Sequence, residues 1–304
     1  MQHNPRVHCP YSPASEEAAS ARRHVNSPQT RSPSYRLAYQ DADFLVRDEL
    51  RSLRLQLELL KPDLLQQEQE IESTVVVFGS ARIPDPETAQ KRMDQARAEA
   101  EKFPGDEQRT RALEAARTAL SNSRYYEEAR ELGRLISAEC QCDGRNTHVI
   151  TTGGGPGIME AANRGAHDAG AKSMGLNIVL PMEQAPNPFI TPELCFQFHY
   201  FAIRKMHFLM RAKALVAFPG GFGTLDELFE ALTLMQTHKI KAFPILLFGK
   251  EYWDRIIRFD ILVEEGAVDE EDLALIRFVE TAEEAWQFIR RADASAETSE
   301  GSTP

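Results

Sequence analysis

One carboxylate, Glu227, follows a short loop whose residue types suit the binding of a phosphate group. The segment KALVAFPGGFGTLDE begins with an apolar run, Ala214 to Phe218, that predicts a buried parallel strand. Three glycines after Pro219 allow the backbone to turn tightly and to approach a ligand closely. Thr224 then stands where a helix N-cap is expected. Unpaired N–H groups and the positive end of the helix dipole converge on such a loop, so a phosphate can bind even on a chain of formal charge -11.

Glu227 lies three residues after Thr224, in the first turn of the predicted helix. A carboxylate there can align a water molecule and offset the positive charge that develops on a sugar ring when a glycosidic bond breaks. The same spacing fits a capping box, in which the Glu227 side chain accepts a hydrogen bond from the N–H of the cap residue. The segment by itself leaves both interpretations open.

A second glycine loop follows another β-rich run. His148 to Thr152 predicts a strand, residues 153–157 are GGGPG, and a helical pattern begins at Ile158. Two strand–loop–helix units in one sheet suggest a ligand held between two loops at the carboxyl ends of the strands. Neither loop has the sequence of a Walker-type NTPase, and neither is a G-x-G-x-x-G loop followed by the acidic residue of the usual dinucleotide-binding fold.

Together these segments resemble the LONELY GUY family of nucleoside 5′-monophosphate phosphoribohydrolases. Residues 219–227 are similar to the family signature P-G-G-x-G-T-x-x-E, and residues 153–160 resemble the other glycine loop of the family. Arg204 and Lys205 precede Pro219 by about 15 residues, where the family carries its catalytic arginine. The resemblance covers roughly residues 75–289.

The resemblance implies a reaction and the residues that perform it. The reaction is hydrolysis of the N-glycosidic bond of a nucleoside 5′-monophosphate, AMP or a cytokinin riboside monophosphate, to free base and ribose 5-phosphate. Glu227 and Arg204 are the expected catalytic residues, because Arg204 would hold ribose or phosphate oxygens and keep Glu227 ionised. The expected nucleotide-binding residues are Gly220, Gly221, Gly223, Thr224, Gly154, Gly155, Ser80, Lys205 and Glu160. No metal and no cofactor are expected, and a homodimer or higher homo-oligomer is expected because family members are commonly dimers.

Three other functions stay open at this point. A carrier or sensor on the same fold would bind a nucleotide without turning it over, although a pure binder needs neither Arg204 nor Glu227 at these positions. A decarboxylase, the label often given to such sequences, would need a lysine that forms a Schiff base with pyridoxal phosphate, and nothing in the sequence places a lysine opposite such a cofactor. An interaction protein would use its N-terminal segment to recruit a partner.

The elements that must position these residues alternate between strands and helices. Residues 75–78 predict the first strand, and Ser80 and Arg82 lie in the turn after it, at the edge where a ligand binds. Residues 125–136 have the apolar spacing of a crossover helix, residues 173–180 predict a further strand, and residues 199–210 predict the helix that carries Arg204. The fold class is therefore α/β: a doubly wound, mostly parallel, Rossmann-like sheet with helices on both faces and an N-terminal helical extension.

Composition and pattern divide the chain into segments. Residues 1–36 predict a disordered tail, residues 37–72 a helical extension, residues 73–292 the nucleotide-binding catalytic domain, and residues 293–304 a mobile tail. The catalytic domain contains a charged helical insertion at about 85–122. Leucines at positions 50, 53, 57, 60 and 64 form a seam that we expect to pack on the core, with Pro62 breaking or bending the helix.

The overall composition excludes several classes of partner. With 304 residues, 42% of them hydrophobic, the chain can bury a sizeable core. A formal charge of -11 argues against a nucleic-acid surface. No apolar stretch is long enough for a signal peptide or a membrane span, and four scattered cysteines fit a reducing cytoplasm. We therefore expect a cytoplasmic protein that acts on a small molecule, without nucleic-acid or membrane partners.

Overall fold

The centre of the fold is a seven-stranded sheet, seen in a computed structural model that describes residues 12–21, 26–142, 144–181 and 185–300. Its strands are β1 Thr74–Phe78, β2 Val149–Thr152, β3 Ser173–Ile178, β4 Cys195–Phe198, β5 Ala212–Ala217, β6 Ile245–Phe248 and β7 Ile276–Val279. They lie side by side in the order β4-β3-β2-β1-β5-β6-β7, and all the described pairs are parallel. This confirms the predicted doubly wound α/β fold.

Helices connect the strands and cover both faces of the sheet. Before β1 come α1 Ala14–Ser20, α2 Ala42–Leu45 and α3 Arg51–Glu68. Between β1 and β5 lie α4 Pro86–Lys102, α5 Glu107–Asn122, α6 Arg124–Cys140, α7 Ile158–Asp168 and α8 Phe201–Leu209. After β5 follow α9 Phe222–Gln236, α10 Lys250–Ile256, α11 Phe259–Glu264 and α12 Ala282–Glu300. Short 3-10 helices occur at Pro33–Tyr35, Ala38–Gln40, Asp48–Leu50, Pro192–Leu194 and Glu270–Leu275.

Strand β1 shows how the sheet divides the core into two layers. Successive side chains of a strand point to opposite faces. Val75 and Val77 accordingly pack with apolar residues of α6, α7 and α12, whereas Val76 and Phe78 pack with those of α8, α9 and α10. Because helices bury both faces, β1 is a continuous apolar run, as expected of a central parallel strand.

Helix α3 differs from the sequence prediction in the face that it buries. Leu57, Leu60 and Leu64 of the leucine seam are each about half exposed, so the prediction that the seam packs on the core is wrong. The buried positions of α3 are Pro62 and Gln66 instead. The leucine spacing predicts a helix with an apolar stripe, but it does not determine which side of that helix meets the sheet.

Pro62 lies inside α3 and does not end it. A proline has no N–H, so the carbonyl of Glu58, four residues earlier, loses its helical partner. Burial lowers the pKa of His207, and the backbone carbonyls of Glu58 and Leu59 oppose that decrease. The Glu58 carboxylate in turn accepts the backbone N–H groups that precede α8, at 2.9 Å from His199 and 3.1 Å from Tyr200.

The ends of the chain are described only in part. Residues 1–11 and 22–25 of the predicted disordered tail lie outside the described residues, and Ala14–Ser20 within that tail is helix α1. Helix α12 continues to Glu300, past the predicted start of the mobile tail at residue 293. The chain divides into two compact units, Met1–Leu57 and Glu58–Pro304, and the site described below belongs to the second. Among the described helices, none combines the length and the apolar character needed to cross a membrane.

Candidate functional site

A cavity of about 940 Å³ opens at the carboxyl ends of the central strands. From β1 the chain continues to β2, β3 and β4 on one side and then returns to β5 on the other, so the crevice between the ends of β1 and β5 is a topological switch point. Its walls are residues 78–83 after β1, residues 219–227 after β5, Gly153 and Met159 after β2, Phe201 and Arg204 of α8, Tyr252 and Ile256 of α10, and Ala115, Thr118, Ala119 and Asn122 of α5.

The loop after β5 forms the first wall and leads directly into α9. The N-cap of α9 is Gly221, so Thr224 is the third residue of the helix and not the predicted cap. Its side chain folds back over Gly220, where any Cβ would collide with the threonine hydroxyl. A Cβ at Gly221 or Gly223 would meet no neighbour within 4 Å, so these two glycines border open space. The first N–H groups of α9 have no intrahelical partner and face a site suited to an anion.

Two hydrogen bonds fix this loop from outside. The Tyr252 hydroxyl donates to the carbonyl of Gly220 at 2.6 Å, and the N–H of Ser80 donates to the carbonyl of Pro219 at 3.0 Å. The N–H groups of the loop are therefore held in position before a ligand arrives, which lowers the entropic cost of binding.

The position of the cap decides between the two interpretations of Glu227. A capping box requires Thr224 at the N-cap, but the cap is Gly221 and Glu227 lies in the second turn. The Glu227 side chain lines the cavity although it is only 7% exposed. Burial raises its pKa to about 7 from 4.5, and the charges of Lys205 and Arg204 oppose that rise. A carboxyl group that titrates near neutral pH in a cleft is typical of a catalytic acid or base.

Arg204 is fixed by neighbours on three sides. Its Nε donates to the carbonyl of Leu176 at 2.7 Å, and its guanidinium carbon lies 5.1 Å from the centre of the Phe208 ring. A Cβ at Gly153 would lie 2.8 Å from Arg204 Nη2, so the absence of a side chain at Gly153 makes room for the guanidinium group. Burial lowers the pKa of Arg204, and the charge of Glu227 opposes the change. Arg204 therefore presents its terminal N–H groups to the cavity beside a carboxylate.

Lys205 lies next to the site but does not belong to the cavity wall formed by the described residues. Its Nζ is 2.8 Å from Asp226 Oδ1 and 2.6 Å from Glu230 Oε2. Its charge nevertheless reaches the cavity, because it lowers the pKa of Glu227. Lys205 acts on the electrostatics of the carboxylate, and its predicted contact with a nucleotide stays a prediction.

The second glycine loop is mainly a support. Gly154 and Gly155 are buried, and their carbonyls accept hydrogen bonds from Asn187 Nδ2 at 3.3 Å and 3.1 Å. Gly154 has φ +77 and packs against the amide of Asn177, with no room for a Cβ. Glu160 accepts a hydrogen bond from the Tyr126 hydroxyl at 3.0 Å, between α6 and α7. In the described part of the chain these two glycines and Glu160 lie outside the cavity wall, whereas Ser80, Gly220, Gly221, Gly223 and Thr224 belong to it.

Comparisons with known proteins agree with the signature in this cavity. The family model described as "Possible lysine decarboxylase" matches residues 159–289. The cytokinin riboside 5′-monophosphate phosphoribohydrolase LOG of Oryza sativa subsp. japonica is 29% identical over 163 residues, which are 53% of this chain and 64% of that protein. LOG4 of Arabidopsis thaliana is 30% identical over 167 residues, which are 53% of this chain and 73% of that protein. This chain belongs to the LONELY GUY family.

The chain thus spans slightly less than two thirds of the rice LONELY GUY protein. Among solved structures, a molybdenum cofactor carrier protein from Chlamydomonas reinhardtii aligns over 73% of this chain and 99% of its own length. The sequence identity is 16% and the TM-score 0.42. At this level of similarity nothing follows for the ligand of the LONELY GUY chain.

The decarboxylase description of the family model does not fit the residues of this cavity. Pyridoxal phosphate enzymes hold their cofactor through a lysine Schiff base. No lysine belongs to the cavity wall formed by the described residues, and the nearby Lys205 is engaged by Asp226 and Glu230. The charged side chains of this cavity wall, among the described residues of the LONELY GUY chain, are Arg82, Arg204, Asp226 and Glu227.

Sequence reasoning missed several residues of this site. Gly153 and Tyr252 follow the neighbouring strands β2 and β6, so the rule that ligands bind at the carboxyl ends of strands could have found them. Asn187 had no such signal, because its contact with the glycine loop joins positions more than 30 residues apart. The α5 side chains were also missed, because their helix belongs to the charged insertion.

Proposed function

We propose that this protein hydrolyses the N-glycosidic bond of a nucleoside 5′-monophosphate and releases the free base and ribose 5-phosphate. The observation that carries the proposal is the meeting of Glu227 and Arg204 with the anion-binding loop of α9 in one cavity. The names of the LONELY GUY relatives support it, since they describe phosphoribohydrolases that act on cytokinin riboside 5′-monophosphates. AMP and cytokinin riboside monophosphates are therefore the proposed substrates.

The α9 loop would bind the 5′-phosphate through N–H groups at the positive end of the helix. That contact fixes the ribose relative to Glu227, so that the chemical step becomes effectively intramolecular. Arg204 would hold ribose or phosphate oxygens with its planar fork, and its charge also favours the ionised form of Glu227. Binding and chemistry thus use groups from α8 and α9 that line the same cavity.

Hydrolysis requires that a water molecule attack C1′ while the bond from C1′ to the base nitrogen breaks. The transition state resembles an oxocarbenium ion, so an ionised Glu227 beside the ribose offsets its positive charge. The same carboxylate can take the proton of the attacking water, and the departing base takes up a proton at its nitrogen. A pKa of about 7 suits Glu227 to proton transfer near neutral pH.

The test is chromatography of purified protein incubated with AMP, GMP, CMP, UMP and N6-isopentenyl AMP. We expect free base and ribose 5-phosphate from the wild type, and a loss of about a hundredfold or more in rate for Glu227→Gln. The matched control is Glu264→Gln, the same substitution at an exposed position of α11, which should act like the wild type.

Release of base at equal rates by the wild type and Glu227→Gln would contradict the proposed role of the carboxylate. Binding of AMP without release of base by the wild type would contradict the hydrolase function. That second result would favour the alternative, a nucleotide-binding carrier or sensor on the same fold.

A further inference from the structure

Helix α5 contributes one face to the wall of the site cavity. Ala115, Thr118, Ala119 and Asn122 line the cavity together with Glu227 and Arg204. Their spacing of three, four and seven residues places them on one side of the helix. Helix α5 has no buried residue of its own; Ala115 and Ala119 also border a groove against α4, whereas Thr118 and Asn122 line the site cavity alone. Because α5 belongs to the insertion between β1 and α6, it is an addition to the elements that carry the family signature.

The other walls already account for most of a nucleoside monophosphate. In the proposed reaction the α9 loop would bind the phosphate, and Arg204 and Glu227 would contact the ribose and the glycosidic bond. The base is the remaining part of the substrate, and it needs a surface that differs in chemistry from the anion site. A base binds between apolar surfaces, and neutral groups that donate and accept hydrogen bonds select it by its edge.

The α5 face has both kinds of group. Ala115 and Ala119 present only methyl groups, which leave room for a flat ring. The Thr118 hydroxyl donates to the carbonyl of Glu114 at 3.1 Å, so its lone pairs stay available as acceptors. Asn122 is the one side-chain amide among the described residues of the cavity wall. An amide pairs with an edge that has a donor beside an acceptor, as adenine has at N6 and N7.

We propose that the α5 face reads the base, with Asn122 as a specificity-determining residue that favours adenine-type bases. This inference rests on the proposed function, because it assigns the base end of the same substrate. It predicts that the α5 side chains affect the affinity for a whole nucleotide but not the affinity for ribose 5-phosphate, which lacks the base.

The experiment is a calorimetric titration with AMP, GMP and ribose 5-phosphate in the Glu227→Gln protein, where AMP stays intact. Asn122→Ala and Ala115→Leu are introduced separately into that protein. Ala112→Leu is the matched control, since Ala112 lies one turn earlier on α5 and lines the groove between α4 and α5 that Ala115 and Ala119 also border, but it does not line the site cavity. Because α5 buries no residue, we expect all three variants to fold.

We expect Asn122→Ala and Ala115→Leu each to weaken AMP binding about tenfold and to leave ribose 5-phosphate binding unchanged. Asn122→Ala should also reduce the preference for AMP over GMP. Ala112→Leu should change neither affinity. In the turnover assay with the wild-type Glu227, Asn122→Ala should raise KM by a similar factor and leave kcat within about twofold.

Equal weakening of AMP and ribose 5-phosphate would overturn the inference, because α5 would then support the phosphate loop. Unchanged AMP binding in both variants would also overturn it and place the base against another wall. Failure of the wild type to release base from any nucleotide is a separate result. It would contradict the proposed function, whereas the comparison of AMP with ribose 5-phosphate would still decide the role of α5.

Discussion

Replacing Glu227 by glutamine should make the folded protein more stable at alkaline pH. Burial raises the pKa of Glu227 from 4.5 to about 7, and each tenfold change in proton affinity is worth about 1.4 kcal/mol. Ionising this side chain therefore costs the folded state about 3 kcal/mol relative to the unfolded chain. A group whose pKa is raised by folding contributes stability below pH 4.5, and that stability is lost as the pH rises through about 7. Glutamine has no such loss because it does not ionise.

The assay is urea denaturation of the wild type and Glu227→Gln at pH 5 and pH 8. Near pH 5 the two free energies of unfolding should be similar, and at pH 8 the variant should exceed the wild type by up to about 3 kcal/mol. Glu264→Gln, at an exposed position, should follow the wild type at both values. A constant difference between Glu227→Gln and the wild type from pH 5 to pH 8 would refute the argument, because it would mean that folding does not raise the pKa of this carboxyl group.

Three further predictions concern catalysis by the proposed reaction. The value of kcat/KM for base release should fall as the pH drops below about 7, because Glu227 becomes protonated. Lys205→Met should move this decrease to higher pH, because Lys205 lowers the pKa of Glu227. The same pH–rate profile in the wild type and the variant would contradict the proposed effect of Lys205. Gly153→Ala should lower kcat/KM about tenfold or more by displacing the guanidinium of Arg204, whose Nη2 would lie 2.8 Å from the new Cβ, while the circular dichroism spectrum stays unchanged. Tyr252→Phe removes the 2.6 Å hydrogen bond to the carbonyl of Gly220 in the loop before α9. It should weaken the binding of ribose 5-phosphate severalfold, as measured by calorimetry. Equal affinities of the wild type and the variant would show that the loop holds its position without this hydroxyl.

Much of the fold could be predicted from the sequence because its central strands are buried on both faces. Runs such as residues 75–78 and 214–218 are apolar throughout, and they become β1 and β5 with bounds shifted by a residue or two. Helix caps were less predictable. Thr224 has the residue type of an N-cap, but the chain caps α9 at Gly221, whose extended backbone is open to any residue and whose missing side chain leaves the cavity open.

The site was predictable where its residues are neighbours in sequence and uncertain where they are not. The loop of residues 219–224 and Glu227 line the cavity as expected, since a strand end, a glycine turn and a helix start are local features. Gly154 and Gly155 lie in a loop that is as rich in glycine as the loop before α9. Their carbonyls, however, accept hydrogen bonds from Asn187 inside the protein. A glycine leaves its backbone open to close approach, and the tertiary structure determines whether a ligand or another part of the protein approaches it.

The sequence by itself predicted the parallel sheet and the glycine loop that leads into α9 with Glu227 after it, and the family resemblance added Arg204. The sheet and the loop depend on apolar runs and turn residues that are close together along the chain. The tertiary structure alone decided that Glu227 is buried enough to titrate near neutral pH, that Arg204 fits against Gly153, that α5 borders the site and that the leucines of α3 face outward. Burial and electrostatic environment arise from elements distant in sequence, and residue types alone do not specify how those elements pack.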